Sequence, residues 1–354
     1  MKRWTWGGMS LALTVLMLVG GLVPTALSGQ EDFRLPSGRA AVYNLAGAVE
    51  IVPGSGGDVV VQVMAGGSDA RQLEFDVFEV DGREALVIRY PGDEIRYPEM
   101  GRRSRTQIRV NDDGTFFGDS DRSRTRRVDI RGDNGLEAWA DLRISVPRGS
   151  DFALFLAVGE TTLTDVDATT LIDTGSGAVY AQGAAGSLSI DTGSGEVVVE
   201  GCSGNLNVDT GSGRVEVRDI RGDEVIVDTG SGEVVANQIT AESVNIDTGS
   251  GSIEASSVSA ADVILDTGSG AVEVELLADV DNLEIDTGSG SVTLWVPENI
   301  GARVEMDTGS GGIELDIPLE VREVKRDYVR GTLGDGDGRI IVDTGSGEIR
   351  IRVR

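Results

Sequence analysis

The stretch that decides the fold is "IDTGSGEVVVEGCSGNLNVDTGSG" (residues 190–213), in which the pentapeptide Asp-Thr-Gly-Ser-Gly occurs twice, 18 residues apart. Nine copies are present, and successive copies are 18 to 21 residues apart except for a last interval of 36. The copies begin at Asp173, Asp191, Asp209, Asp228, Asp247, Asp266, Asp286, Asp307 and Asp343. Recurrence at a nearly fixed period is the sequence signature of a repeat architecture. The pentapeptide is therefore interpreted first as a structural unit.

The residues that flank each pentapeptide alternate between apolar and polar. The residue before the Asp, and the second and fourth residues after the closing Gly, are apolar in all nine copies, and most are β-branched. This period of two predicts strands with one buried face. Each repeat therefore predicts strand, turn, strand, turn in about 19 residues, a unit that can bury its apolar face only against its neighbours. The predicted fold is all-β, a single-chain β-solenoid of parallel stacked coils.

The pentapeptide itself is expected to form a tight corner. Glycine permits positive φ, and the Asp is expected to accept a backbone N–H bond from two residues further on, as in an Asx turn. The Thr hydroxyl is expected to bond to the carboxylate or to the next coil. The structural turn residues include Asp173, Gly175, Gly177, Asp286, Gly288, Gly290, Asp343, Gly345 and Gly347.

The predicted stack places carboxylates about 4.8 Å apart, where they repel one another. Residues 160–318 carry 30 acidic and 4 basic side chains, so the repulsion must be offset by hydrogen-bond donors, raised pKa values or bound cations. The candidate ligands for calcium are Asp191, Asp209, Asp228, Asp247 and Asp266. One carboxylate per coil is sparse ligation, and the repeat differs from the nonapeptide of calcium-binding β-rolls. No cofactor is predicted, and calcium stays open as the alternative.

The segment "DTGSGSVTLWVP" (residues 286–297) resembles the first active-site segment of pepsin-family aspartic proteases. In that family two Asp-Thr-Gly loops face each other and share one proton. Nine loops in a row on one side of a coil would stack instead of converging. The sequence therefore predicts no catalytic residue and no enzyme.

Composition excludes several classes of function. The chain has 59 acidic and 31 basic residues and no histidine. Nucleic acid is a poor partner for such a chain, and His-based catalysis is excluded. The single cysteine, Cys202, excludes an intramolecular disulfide and is expected to be a small core residue.

Residues 1–29 contain Lys2 and Arg3, an apolar run and a small-residue cleavage site, which predicts a signal peptide. The protein is therefore expected to be exported to the periplasm, the cell envelope or the extracellular space, with an uncleaved membrane anchor as the alternative. Contact with a membrane is expected only through this segment.

Two further regions follow the signal peptide. Residues 30–157 are predicted as an N-terminal β region continuous with the solenoid. An Arg-rich insertion interrupts this region at 92–135. It is interpreted as a solvated loop or, alternatively, as a docking patch for an acidic partner. Residues 158–354 form the repeat solenoid, with an irregular coil or insertion before the last copy. The ending "EIRIRVR" is expected to place Arg350, Arg352 and Arg354 on an open edge, where they would discourage further strand addition.

The chain resembles a bacterial adhesin-like β-strand-repeat family of exported proteins, a domain of unknown function. The resemblance rests on "NLAGAVEIV" (44–52), "LRISVPRGSDFALFLAVGETTLTDV" (142–166), the serial pentapeptide coils and "GDGDGRIIVDTGSGEIRIRV" (334–353). It implies a right-handed solenoid, similar to a parallel β-helix, without catalytic residues. The function that follows is a non-catalytic cell-envelope or surface protein, adhesin-like or scaffold, whose partner is an unidentified envelope component. The alternatives are a solenoid that binds polysaccharide, ice or calcium, and a hydrolase that uses the repeat carboxylates.

Overall fold

The structure, a computed structural model, describes residues 30–36, 38–117 and 125–354. The predicted signal peptide lies outside the described residues. Within those ranges, no helix has the length and apolar character needed to cross a bilayer.

The N-terminal part of the molecule ends at residue 164, and its described residues contain thirteen strands. Six strands precede the insertion: β1 (Gln30–Pro36), β2 (Arg39–Ala46), β3 (Val49–Gly54), β4 (Asp58–Gly66), β5 (Glu74–Val80) and β6 (Arg83–Arg89), with a 3-10 helix at Ala70–Gln72. The next four are β7 (Glu94–Arg96), β8 (Arg105–Asn111), β9 (Thr125–Arg131) and β10 (Leu136–Glu137). Then follow β11 (Trp139–Pro147), β12 (Asp151–Val158) and β13 (Thr161–Thr164).

The repeats supply most of the remaining strands, two per coil. They are β14 (Thr169–Ser176), β15 (Val179–Gln182), β16 (Leu188–Thr192), β17 (Val197–Glu200), β18 (Leu206–Thr210), β19 (Val215–Arg221), β20 (Glu224–Thr229), β21 (Val234–Thr240), β22 (Ser243–Thr248), β23 (Ile253–Ser259), β24 (Asp262–Thr267), β25 (Val272–Leu276), β26 (Asn282–Thr287), β27 (Val292–Val296), β28 (Ala302–Thr308) and β29 (Ile313–Asp316). The chain continues with β30 (Glu320–Val324), β31 (Tyr328–Leu333), β32 (Gly338–Thr344) and β33 (Ile349–Val353).

Two long sheets enclose one apolar core, which confirms the predicted β-solenoid. Sheet A has 14 strands in the order β1-β4-β11-β3-β13-β15-β17-β19-β21-β23-β25-β27-β33-β29. Sheet B has 15 strands in the order β30-β31-β28-β32-β26-β24-β22-β20-β18-β16-β14-β12-β2-β6-β5. Each pentapeptide lies where the chain passes from sheet B to sheet A. The alternating Val, Ile and Leu side chains of both sheets are buried in the core between them, as a period of two requires.

The coils do not stack in sequence order at either end. The coil formed by β2 and β3 lies between β6 and β12 in sheet B and between β11 and β13 in sheet A. At the other end, the coil formed by β32 and β33 lies between the coil of β26 and β27 and the coil of β28 and β29. The hairpin of β30 and β31, which accounts for the long last interval, covers β28 from outside.

The expectation that the last strand forms an open edge is therefore wrong. β33 is paired on both sides, with Arg350 opposite Glu314 and Arg352 opposite Asp316 in the register. An Arg350 Nε to Glu314 Oε2 distance of 3.3 Å completes an ion pair. The physical reason is charge on one side: the residues of β29 opposite the two arginines are acidic, whereas those of β27 are Thr293 and Trp295.

The Arg-rich insertion is also more ordered than the sequence indicates. β7 to β10 form a separate four-stranded sheet, sheet C, in the order β10-β7-β9-β8. Its apolar side chains Ile95, Val110, Val128 and Ile130 are buried against the core. The interpretation as a solvated loop was wrong because "QIRV" (107–110) and "RRVDIR" (126–131) do alternate, but with arginine at the polar positions.

Candidate functional site

All nine pentapeptides stack along one edge of the solenoid, in a row that we call the corner ladder (the residues of the nine copies). Asp pairs with Asp and Thr with Thr in the register of every neighbouring pair of coils from Asp173 to Asp307. Asp343 lies between Asp286 and Asp307, because its coil is inserted there. The nine loops therefore lie side by side and do not face one another across a cleft, as the two loops of an aspartic protease do.

The closing glycine of each corner is required by close stacking. A Cβ on Gly270 would lie 1.7 Å from the carbonyl oxygen of Gly251 in the neighbouring coil. The same contact, at 1.6 to 2.0 Å, recurs at Gly47, Gly159, Gly177, Gly195, Gly213, Gly232, Gly251, Gly290, Gly311 and Gly347. Positive φ, the reason expected from the sequence, applies to the pentapeptides only at Gly177, Gly195 and Gly213.

The middle glycine carries the backbone link between coils. The N–H of Gly193 donates to the carbonyl oxygen of Thr174 in the preceding coil at 2.9 Å, and the equivalent bond recurs at each later corner. This N–H is the one that an Asx turn would direct to the Asp of its own coil. The expected Asx turn is therefore wrong, because parallel stacking provides a backbone acceptor for that N–H.

The buried Thr hydroxyls divide the corner ladder into two parts. From Thr248 onward, each hydroxyl accepts the N–H of its own closing glycine and donates to the closing-glycine carbonyl of the neighbouring coil. At Thr267 these distances are 3.0 Å to Gly270 N and 2.8 Å to Gly251 O. In the first four corners the hydroxyls of Thr174, Thr192, Thr210 and Thr229 are buried without a hydrogen-bond partner.

In the first three corners the orientation of the closing glycine accounts for this difference, whereas Thr229 lies at the transition, since its hydroxyl is unpaired although Gly232 no longer has positive φ. Gly195 has φ of +153°, and its N–H donates to the carbonyl oxygen of Ser212 in the next coil at 3.0 Å. The hydroxyl of Thr192 is then left without that donor. The conformation changes after Gly213, near the point where the repeat lengthens from 18 to 19 residues.

The Asp side chains form a single outward row, and burial together with neighbouring carboxylates raises the pKa of five of them. The pKa of Asp173 is raised to about 7, first by burial and then by Asp191. The pKa values of Asp191, Asp228, Asp266 and Asp343 are raised for the same two reasons, with burial the larger. The calcium candidates Asp191, Asp209, Asp228, Asp247 and Asp266 all lie in this row, one per coil. Across residues 30–36, 38–117 and 125–354, no three Asp, Glu, His or Cys side chains are grouped to hold a metal ion.

A second feature, absent from the sequence interpretation, is a cleft between sheet C and the start of the corner ladder. Its volume is about 890 Å³. Sheet C is attached beside it by a hydrogen bond of 2.8 Å between the hydroxyls of Thr106 and Ser176. The ring of Phe117 closes over the same end of the ladder, 3.3 Å from the position that a Cβ on Gly175 would occupy.

The walls of the cleft combine aromatic rings with carboxylates. Tyr97 and Trp139 line it, with ring centroids 6.1 Å apart. Asp141, Glu99 and Glu160 line it as well. The carboxylate of Asp141 is half-buried and accepts the N–H of Ala48 at 2.9 Å. Burial raises its pKa, and hydrogen bonds from Ala48 and Trp139 partly oppose that increase.

No short motif could have identified this cleft, because its lining comes from residues 48 to 194 and from both sheets as well as the insertion. The one available signal was "EAWADLR" (residues 137–143), where a tryptophan and an aspartate stand two residues apart on a strand. Such residues share a face of the strand. Cys202, by contrast, is the buried core residue that the sequence predicts, and burial raises its pKa to about 11.

The chain is similar to one protein family and to several solved structures. A family model described as Toastrack DUF4097 matches residues 130–352, more than half of the chain. No curated protein matches the chain. Among solved structures, a candidate adhesin from Bacteroides fragilis is 12% identical, with 94% of this chain and 100% of that chain covered and a TM-score of 0.40.

Two further solved structures are similar at the same level. A candidate adhesin from Parabacteroides merdae is 10% identical, with 91% of this chain and 95% of that chain covered and a TM-score of 0.44. A candidate lipid-binding protein from Parabacteroides distasonis is 12% identical, with 92% and 97% covered and a TM-score of 0.39. At these values the solved structures assign no ligand to the present chain.

Proposed function

The chain belongs to the Toastrack DUF4097 family, and on that premise we propose that it is an exported, non-catalytic β-solenoid protein of the cell envelope or cell surface, adhesin-like or a scaffold. Export is proposed from the signal-peptide pattern of residues 1–29.

The observation that supports this proposal is the role of the recurring residues. In each pentapeptide the two glycines and the Thr are engaged in coil-to-coil contacts, and the Asp faces outward in a single row. Glycoside hydrolysis requires two carboxyl groups that flank one reacting bond. The stacked carboxylates of the Asp row all point in one direction instead. The pentapeptide thus serves to hold the coils together, which supports a rigid rod as the structure that it builds.

A second candidate, ligand binding by the solenoid, is favoured by the cleft between sheet C and the corner ladder. Concave sites with aromatic walls and a few convergent polar groups are the usual form of small-molecule sites. The cleft holds two aromatic rings and three carboxylates. A rod with one such cleft near its N-terminal end would act as an adhesin-like binding protein.

Localisation and capture test the proposal. The full chain carrying a C-terminal tag is expressed in a bacterial host, and cells are separated into cytoplasmic, periplasmic, membrane and secreted fractions. We expect the protein outside the cytoplasm and expect it to retain material from envelope extracts. A chain that accumulates unprocessed in the cytoplasm would overturn export. Turnover of envelope polysaccharide by the purified chain would overturn the non-catalytic role.

A further inference from the structure

We propose that the cleft between sheet C and the corner ladder binds an organic ammonium group, a protonated amine carried on a sugar or an alkyl chain. This inference rests on the ligand-binding form of the proposed function and names the chemical class of its ligand.

The first argument is uncompensated charge. Among the residues that the structure describes, no arginine or lysine forms an ion pair with Glu99, Asp141 or Glu160. The cation that lines the cleft, Arg105, is already held by both carboxylate oxygens of Asp129 at 2.8 Å. A partly enclosed space with net negative charge favours a positively charged occupant.

The second argument is a largely buried tyrosine whose hydroxyl has no hydrogen-bond partner among the described residues. Tyr97 is only 5% exposed and lines the cleft. Within the described ranges, no hydrogen bond joins its hydroxyl to another residue. Burial raises the pKa of this hydroxyl, and the carboxylates of Asp141, Glu99 and Glu160 raise it further, which places all three within electrostatic range. A hydroxyl that is largely enclosed and lies near carboxylates can be completed by a donor that serves both.

The third argument is a fixed aromatic wall. A Cβ on Gly66 would lie 2.5 Å from Cε2 of Trp139, so the indole packs directly on the backbone of β4 and cannot rotate freely. The Tyr97 backbone is held by an N–H bond of 2.8 Å to Arg131. Ammonium groups are attracted to the faces of such rings, and a rigid site binds without the entropic cost of ordering side chains.

The three features together favour an ammonium group over a divalent metal ion and over neutral ligands. A divalent metal ion needs a cage of several oxygen ligands, and the described residues contain no such grouping. A neutral sugar would leave three carboxylates without a counter-charge. An ammonium group has three donors and a compact charge, which suit the Asp141 carboxylate and the Tyr97 hydroxyl at once.

Isothermal titration calorimetry of the full chain tests the proposal with three probes: a glucosamine trimer, spermidine, and the neutral N-acetylglucosamine trimer. We expect saturable binding of the first two and no binding of the third. The two amine probes distinguish a sugar from an alkyl source of the same group. Equal binding of the acetylated and amine trimers would overturn the proposal.

Two variants and a matched control separate this site from general attraction to an acidic protein. Glu99→Gln and Glu160→Gln each remove one charge from the cleft without removing a hydrogen bond that the structure shows, and each is expected to weaken amine binding about five-fold. Glu224→Gln removes the same charge from an exposed position on β20, and its affinity should stay within about two-fold of the parent protein. Equal weakening in all three variants would show surface attraction and overturn the assignment.

The failure of this inference is distinguishable from failure of the proposed function. If the Glu160→Gln variant reaches the envelope and captures envelope material as well as the parent protein does, the proposed function stands and the ammonium site is overturned. If the protein binds the amine probes as expected but stays in the cytoplasm, the ammonium site stands and the proposed function is overturned.

Discussion

The divided corner ladder predicts opposite effects for one substitution made at two equivalent positions. Thr→Val replaces a hydroxyl with a methyl group of nearly the same volume. At Thr267 the hydroxyl links Gly270 N and Gly251 O, whereas at Thr192 it is buried without a partner. Both side chains are fully buried, so solvent exposure does not distinguish them.

The magnitudes follow from the groups left unpaired. Thr267→Val leaves one buried N–H without its acceptor and removes one donor from a carbonyl, and an unsatisfied buried group costs about 1–3 kcal/mol. Allowing for the apolar gain of the added methyl group, the free energy of unfolding should fall by about 2 kcal/mol. Thr192→Val removes a hydroxyl that has lost water without gaining a partner, so the free energy of unfolding should rise by about 1 kcal/mol.

The assay is urea unfolding followed by far-UV circular dichroism, with native-state hydrogen exchange as a local measurement. A difference of about 3 kcal/mol between the variants corresponds to midpoints separated by on the order of 0.5–1 M urea. Long repeat arrays need not unfold in one step, and exchange at single amides does not depend on that assumption. The Gly270 amide should exchange faster in Thr267→Val, and the Gly195 amide, which bonds to Ser212, should be unchanged in Thr192→Val.

The reasoning fails if both variants shift the midpoint in the same direction by similar amounts. It also fails if the Gly270 amide keeps its protection in Thr267→Val, since the hydroxyl would then not be its acceptor.

Three further predictions concern the glycines, the Asp row and the cysteine. Gly270→Ala should lower the free energy of unfolding by about 3 kcal/mol or more in urea melts, because its Cβ would lie 1.7 Å from a backbone oxygen. The control is Gly312→Ala, where a Cβ meets nothing within 4 Å. Equal unfolding midpoints for the two variants would refute the stacking argument. Burial raises the pKa of Asp173 to about 7 in the folded state, so the folded protein binds its proton more tightly than the unfolded chain does and the stabilisation is lost as pH rises from about 4 through 7. Melting temperatures should therefore fall over that range, and Asp173→Asn should reduce the fall; an unchanged pH profile in the variant would contradict this. Cys202, buried and with a pKa of about 11, should react with a thiol reagent only in denaturant, and rapid labelling of the native protein would place it elsewhere.

The sequence was sufficient to predict the solenoid because strand periodicity is local. The Val or Ile at the second position after a pentapeptide, such as Val234 or Val272, is buried as the period of two requires, except that Ile313 on the edge strand β29 is only partly buried. The positions of the corner glycines were predicted correctly, but the predicted reason for them was wrong. The contact of Gly270 with Gly251 involves the neighbouring coil. A positive φ is a property of one residue, whereas close stacking is a property of two coils.

The order of the coils was beyond sequence reasoning for a different cause. Every pentapeptide coil offers the same register, so Asp343 could pair equally well with any other Asp of the row. What selects the inserted position is the outward face, where Arg350 lies opposite Glu314. An additional contact places the guanidinium of Arg352 5.4 Å from the ring of Trp295 in the coil on the other side.

The cleft could not be predicted because its parts are ordinary when taken separately. Glu160 belongs to a solenoid coil, Glu99 to the insertion and Trp139 to a strand of sheet A. They meet only because sheet C packs on the corner edge. Without a repeat or motif to link them, the sequence contains no signal for that packing.

The insertion of the coil of β32 and β33 between two others has a mechanical consequence. In a solenoid stacked in sequence order, tension on the last coil detaches it from a single neighbour. Here β33 is bonded to β27 on one side and β29 on the other, so tension along it must break two ladders of hydrogen bonds together. A load applied through this coil would therefore be shared between its two neighbours.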